Sequence, residues 1–211
     1  NDDHGHDDHA DHDDHGHEKE ADHDDHGHAE HAGDDPAAEI DPHVWLDPRN
    51  ASLWVAEFAD TLSAMDPENA ETYRANATKA QAELETLEKE ISAKLDGYAS
   101  KSFIVFHDSY HYFEARFNVE ARAAITFSDA SAASAAQLAE VREVVTDSNA
   151  ACALTEPGAN QGLVAAVDAS DSLSIEVADA IGVKLPLGKE LYGALLHQIA
   201  DALTNCFAAK G

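Results

Sequence analysis

The stretch "SFIVFHDSYHYFEARF" (102–117) decides the fold. Residues 102–106 are almost wholly apolar and read as a strand buried on both faces. Residues 108–117 change to helical spacing, with aromatics recurring three and four apart. His107 stands at the junction. A strand that runs straight into a helix is the first half of a crossover unit, so its neighbour strand is expected to be parallel.

The segments downstream repeat the alternation. "ARAAITF" (121–127) reads as a second strand, followed by a helix from Ser134 to Thr146. "ACALT" (151–155) is a third strand and "NQGLVAAVDAS" (160–170) a short helix. "LSIEVAD" (173–179) is a fourth strand, and Lys189 to Ala208 the closing helix. The expected class is α/β, a parallel sheet flanked by helices on both faces. In such sheets ligands sit beyond the C-terminal ends of the strands. His107 follows the first strand, Glu156 follows the third and Asp179 closes the fourth, so three metal-capable side chains should collect at one sheet edge.

Upstream lie two helix signals. The first helix spans Ala51 to Met65, with Leu53, Trp54, Phe58 and Leu62 on one side. "DPEN" (66–69) starts the second, with Asp66 as N-cap and Pro67 at the first helical position. Tyr73, Ala77, Ala80, Leu84, Leu87, Ile91 and Leu95 then recur at spacings of three and four. They predict one long amphipathic helix over 67–95, ended by Gly97.

The first 35 residues are of another kind. They hold twelve Asp, three Glu and one Lys, so they carry −14 of the −29 formal charge, and ten of the fourteen His. "DDHGH" occurs at 2–6, 13–17 and 24–28, a period of 11. Without aromatic or β-branched residues this tract has no core to form, and residues 1–37 are expected to be disordered. His4, His6, His9, His12, His15, His17, His23, His26, His28 and His31 are candidate auxiliary metal ligands on a loop that gathers cations. There is no initiating Met and the chain opens inside the repeat. A fragment or processed form is therefore expected, with any signal peptide upstream.

Composition excludes several functions. An acidic balance without basic clusters speaks against nucleic acid and anionic membranes and suits cations. No run of about 18 apolar residues is present, so nothing is expected to span a membrane. No nucleophile elbow, phosphate loop or dinucleotide glycine pattern occurs, which leaves catalysis with little support. Cys152 and Cys206 read as buried thiols in a cytosolic protein and as a bridge in an exported one.

Among the ordered histidines, His43 lies between prolines in "DPHVW", where a structural role competes with ligation. His107 is the stronger candidate from its place at a strand end. His111 lies four residues on, but without the metalloprotease pattern it reads as a surface residue, as does His197 on the closing helix. Glu156 either ligates a metal or receives backbone N–H bonds, and Asp179 either ligates or organises a turn.

Several motifs carry a resemblance. "DPHVWLDPRNA" (41–51), "FIVFHDSYHYFEARF" (103–117), "CALTEP" (152–157) and "YGALLHQIADALTNCF" (192–207) resemble segments of the zinc-specific substrate-binding proteins of bacterial ABC transporters, the ZnuA-like group. The resemblance covers essentially the whole chain, and the His/Asp tract matches in kind and place. It implies two lobes joined by a long rigid helix, with the metal in the cleft between them. Residues 38–65 would end the N-terminal lobe, 66–97 form the interlobe helix and 98–211 the C-terminal α/β lobe. His43 and His107 fall on two of the family's His ligands; the third lies upstream of residue 1. "DAIG" (179–182) keeps the family's Asp as Asp179 but lacks its Pro, and "EPGANQ" (156–161) departs from the usual loop. Cys152 and Cys206 fall on the family's bridge positions.

The implied function is high-affinity Zn2+ capture and delivery to an ABC-type importer, through a membrane permease and its ATPase, by a monomeric periplasmic protein. A His-dominated site favours zinc, whereas added carboxylates move preference toward manganese. The alternatives are a manganese or broad-metal binder, a zinc-buffering or adhesion protein, and a metallohydrolase with Glu156 as its base.

Overall fold

The computed structural model describes residues 41–127, 132–168 and 173–208. The expected disordered tract, 1–37, lies outside them. Asp47 caps the first helix, α1 (Pro48–Met65): its carboxylate accepts the Arg49 N–H at 2.8 Å, and Pro48 occupies the first turn, where its missing N–H costs nothing. A 3₁₀ turn (Pro67–Asn69) leads into α2 (Ala70–Leu95), 26 residues long. The predicted seam holds, since Tyr73, Ala77, Ala80, Leu84, Leu87, Ile91 and Leu95 are all buried or half-buried. Gly97 follows the helix at φ +85°, a left-handed conformation that a side chain would strain.

The four strands, β1 (Phe103–His107), β2 (Ala121–Thr126), β3 (Cys152–Thr155) and β4 (Ser174–Val177), form one parallel sheet in the order β2-β1-β3-β4. Alternation along the strands divides the core in two. Phe103, Val105, Cys152 and Leu154 face a layer built from Leu87, Ile91 and Leu95 of α2 together with α3 (His111–Phe117) and α6 (Leu191–Ala208). Ile104 and Ala153 face the opposite layer, built from α4 (Ala135–Ser148) and α5 (Gln161–Val167) through Val141, Val145, Val164 and Val167. Helices on both faces explain why β1 reads as a continuous apolar run. A disulfide joins Cys152 on β3 to Cys206 on α6, and both residues are fully buried.

Three expectations need correction. The large apolar residues of α1 are exposed: Leu53 at 69%, Phe58 at 61%, Trp54 and Leu62 by about two fifths. Among the described residues α1 instead buries Pro48, Ala59 and Ser63, the last two being small side chains that let it approach a neighbouring helix closely. The helix after β1 begins at His111, not Asp108. The Asp108 N–H continues the ladder to Thr126 O at 3.1 Å, and the Ser109 N–H turns back to His107 O at 2.9 Å. Strand β4 ends at Val177, which places Asp179 in the loop beyond it.

Candidate functional site

The chain leaves β1 toward β2 on one side and returns to place β3 on the other. The carboxyl ends of β1 and β3 therefore border the topological switch point, where open α/β sheets bind ligands. His107 is the last residue of β1 and Glu156 follows β3. Glu156 Oε1 lies 3.4 Å from His107 Nδ1. These two residues line a cleft of about 310 Å³ with His43, Asp179 and Lys184.

His43 reaches the cleft from a separate segment. It precedes a 3₁₀ turn (Val44–Leu46), closed by the Leu46 N–H donating to His43 O at 3.1 Å. Asp41 Oδ1 accepts the His43 backbone N–H at 2.9 Å and stands 2.7 Å from His43 Nδ1. A carboxylate on Nδ1 fixes the tautomer, so Nε2 is the nitrogen that carries the lone pair. The His43 and His107 rings meet edge-on, with centroids 5.2 Å apart and planes at 80°. Both side chains are largely buried. Each imidazole thus has a carboxylate beside Nδ1, the arrangement that orients metal-binding histidines.

Asp179 lines the same cleft and also organises the loop that carries it. Its Oδ1 accepts the N–H groups of Ile181 at 3.2 Å and Gly182 at 2.8 Å, and its Oδ2 that of Lys184 at 3.2 Å. The loop carbonyls are as well served. Tyr110 OH donates to Ala178 O at 3.0 Å, Gln198 Nε2 to Asp179 O at 2.6 Å, and Trp45 Nε1 to Ala180 O at 2.9 Å. Three separate segments therefore hold three consecutive peptide groups. Burial pushes the Tyr110 hydroxyl far above its usual range, helped by the charges of Glu156 and Asp179, so it remains a neutral donor. Gly182 sits at φ +72° with leucine side chains 3.3–3.5 Å from where a Cβ would lie. Only glycine fits that bend without strain.

Among the described residues, no three His, Cys, Asp or Glu side chains stand close enough to hold a metal ion. The cleft offers an imidazole pair with carboxylates around it. His111 is not part of it: its side chain is mostly exposed on α3, 3.0 Å from Asp108 and 3.6 Å from Glu114. His197 pairs with Glu90 across α6 and α2, with 3.3 Å between Nε2 and Oε2. The ten tract histidines lie outside the described residues.

Sequence reasoning missed Asp41, Trp45, Asp47, Arg116 and Gln198. Asp41 had a local signal, an Asp two residues before a His in a Pro-punctuated turn, which favours an Asx turn. Asp47 had the Asp-Pro signal of a helix cap, but its bond to Arg116 and those of Trp45 and Gln198 act across 19 to 135 residues of sequence and had none.

Glu114 is the most perturbed carboxyl nearby. Burial raises it to about 7, against the opposing pull of His111 and a backbone N–H from Ala121. The unfolded chain releases this proton near 4.5 while the folded chain keeps it to about 7, so stability falls as pH rises through that window. Replacing Glu114 with Gln removes the effect. The variant is expected to be about 1–3 kcal/mol more stable than the parent at pH 8, with no advantage at pH 4. Urea denaturation at the two pH values measures this, and an equal difference at both would contradict it.

A family model described as "ZnuA: Zinc-uptake complex component A periplasmic" matches residues 2–206. The High-affinity zinc uptake system protein ZnuA of Paracoccus denitrificans (strain Pd 1222) is 39% identical over 170 residues, which is 80% of this chain and 52% of that protein. The laminin-binding adhesin Lmb of Streptococcus agalactiae, in a mutant structure, aligns with a TM-score of 0.67 at 26% identity, covering 77% of this chain and 63% of that one. A Zn(II)-bound mutant variant of AdcAII of Streptococcus pneumoniae aligns with a TM-score of 0.66 at 25% identity, covering 77% and 60%. The chain spans about half the length of the curated relatives it matches. The parallel sheet, the cleft at its switch point and the match over nearly the whole sequence lead to one conclusion: this chain belongs to the ZnuA family.

Proposed function

We propose that this protein captures Zn2+ in the cleft between His43 and His107 and delivers it to an ABC-type importer, a membrane permease with its ATPase. One observation carries the reading: two imidazoles 5.2 Å apart at the switch point of a parallel sheet, each with a carboxylate at Nδ1. Neutral imidazole is a borderline-soft donor suited to zinc. A tetrahedral ion needs further donors, and Asp179 is the third proposed ligand. Asp179 holds the loop that floors the cleft, and Glu156 brings a second carboxylate to it. The two-lobed division at 38–65, 66–97 and 98–211 belongs to the same reading, as does a monomeric protein working in the periplasm. Cargo must be released intact, so the site serves binding and not hydrolysis. Relatives named for high-affinity zinc uptake support the reading. Among the described residues no helix is long and apolar enough to cross a membrane, and in this reading the permease is a separate chain.

The acidic His tract at 1–35 gathers zinc for this site. Its carboxylates raise the local cation concentration and its imidazoles, when neutral, supply the donors. Capture therefore fails as pH falls through about 6.5. Calorimetric titration of the complete natural chain, with and without residues 1–35, tests both parts. One tight zinc site is expected to survive the deletion while several weaker ones disappear. Unchanged stoichiometry would sink the role of the tract, and loss of the tight site would sink the cleft. The carboxylates in the cleft favour a second reading, manganese, and competition of the two ions for the tight site separates them.

A further inference from the structure

The two imidazole-bearing segments are tied together by a half-buried fork. Arg116 Nε donates to Asp47 Oδ1 at 2.8 Å and Arg116 Nη2 to Asp47 Oδ2 at 2.7 Å. Asp47 lies four residues after His43, at the end of the 3₁₀ turn that His43 begins, and is 7% exposed. Arg116 lies on α3, the helix that β1 and His107 lead into. Two parallel charge-assisted bonds fix distance and rotation together, which one bond or a lysine cannot do. Burial alone would raise the Asp47 carboxyl. The Arg116 bonds, the Arg49 N–H and the nearby charges outweigh it and hold it below the usual range. The fork is therefore a pair of opposite charges near neutral pH.

We propose that Asp47 and Arg116 are positioning residues of the metal site, setting the separation and angle between the His43 and His107 rings. The proposal rests on the zinc-cleft reading above. Neither residue lines the cleft. Trp45 and Tyr192 assist by fixing the same turn to the α6 side: Tyr192 OH donates to Trp45 O at 2.7 Å, and the Trp45 indole donates to the Asp179 loop.

The test uses the complete natural chain and five variants. D47N preserves the helix cap and the volume but removes the charge. R116Q removes the fork, and R116K keeps the charge without it. E85Q breaks the exposed Lys89–Glu85 pair on α2, away from the fork, and serves as the control. Zinc Kd is read by chelator competition, and the visible spectrum of the Co2+-loaded protein reports ligand geometry. D47N and R116Q are expected to raise Kd about 10–100-fold, the usual effect of losing an outer partner of a metal site. Both should alter the Co2+ bands, and R116K should fall between the parent and R116Q. E85Q should change neither readout. A merely structural pair would lower the melting temperature and leave both readouts at parental values; that result overturns the proposal. His43→Ala separates the two levels. If it binds zinc as tightly as the parent, the cleft reading itself fails. If it weakens binding while R116Q and D47N do not, only the positioning role fails.

Discussion

His107→Ala is expected to weaken the tight zinc site by more than about 100-fold, beyond the 10–100-fold typical of an outer partner. The reason is placement. His107 ends β1 at the switch point, is 6% exposed, and meets His43 edge-on. No neighbouring imidazole can take its place: among the described residues His111 faces Asp108 and Glu114 on α3, and His197 faces Glu90. His111→Ala should therefore shift Kd by no more than about twofold, as expected of a surface substitution within about ±0.5 kcal/mol. Chelator competition on both variants measures the contrast. Equal losses would remove the distinction between the cleft and the helix surface.

Loss of the Cys152–Cys206 bridge is expected to cost about 2–5 kcal/mol of stability, the usual range for a native disulfide. The bridge spans 54 residues and fastens α6 to β3 from inside the core. For a loop of this length, constraint of the unfolded chain alone accounts for about 4 kcal/mol. Phe207, the residue after Cys206, packs against Phe103 and Tyr98 with centroids 5.9 and 5.1 Å away, so a loosened α6 end would also disturb an aromatic cluster. The proposed metal site should be spared. Cys152 begins β3 and Glu156 follows its far end, about 13 Å away at roughly 3.3 Å per strand residue. Urea denaturation of the double alanine variant tests the first statement and its zinc affinity the second. A loss below about 1 kcal/mol, or a fall in affinity of the folded variant, would contradict them.

The parts of the fold that were legible are those governed by periodicity. The α2 seam from Tyr73 to Leu95 is a one-dimensional pattern, and it is buried as the spacing requires. The apolar run of β1 followed by helical spacing pointed to the parallel sheet, and the sheet placed His107 at the ligand-binding edge. His43 was different. A histidine in a Pro-flanked turn has no period, and only the resemblance of "DPHVWLDP" singled it out. The face of α1 was misleading because burial depends on the partner surface. Small residues, Ala59 and Ser63, went inward while Leu53 and Phe58 stayed exposed. Asp179 was ambiguous because its bonds run to amides of the following residues, and an Asp shortly before a Gly fits both a ligand and a turn. The Asp47–Arg116 fork, 69 residues apart in sequence, leaves no local trace at all.

The most direct measurement is a crystal structure of the zinc-loaded complete chain, with the ion located by anomalous diffraction at the zinc edge. One strong peak is expected in the cleft, about 2.0–2.1 Å from a nitrogen of His43 and of His107. A strong peak elsewhere, with both imidazoles more than about 3 Å from any zinc, would contradict it.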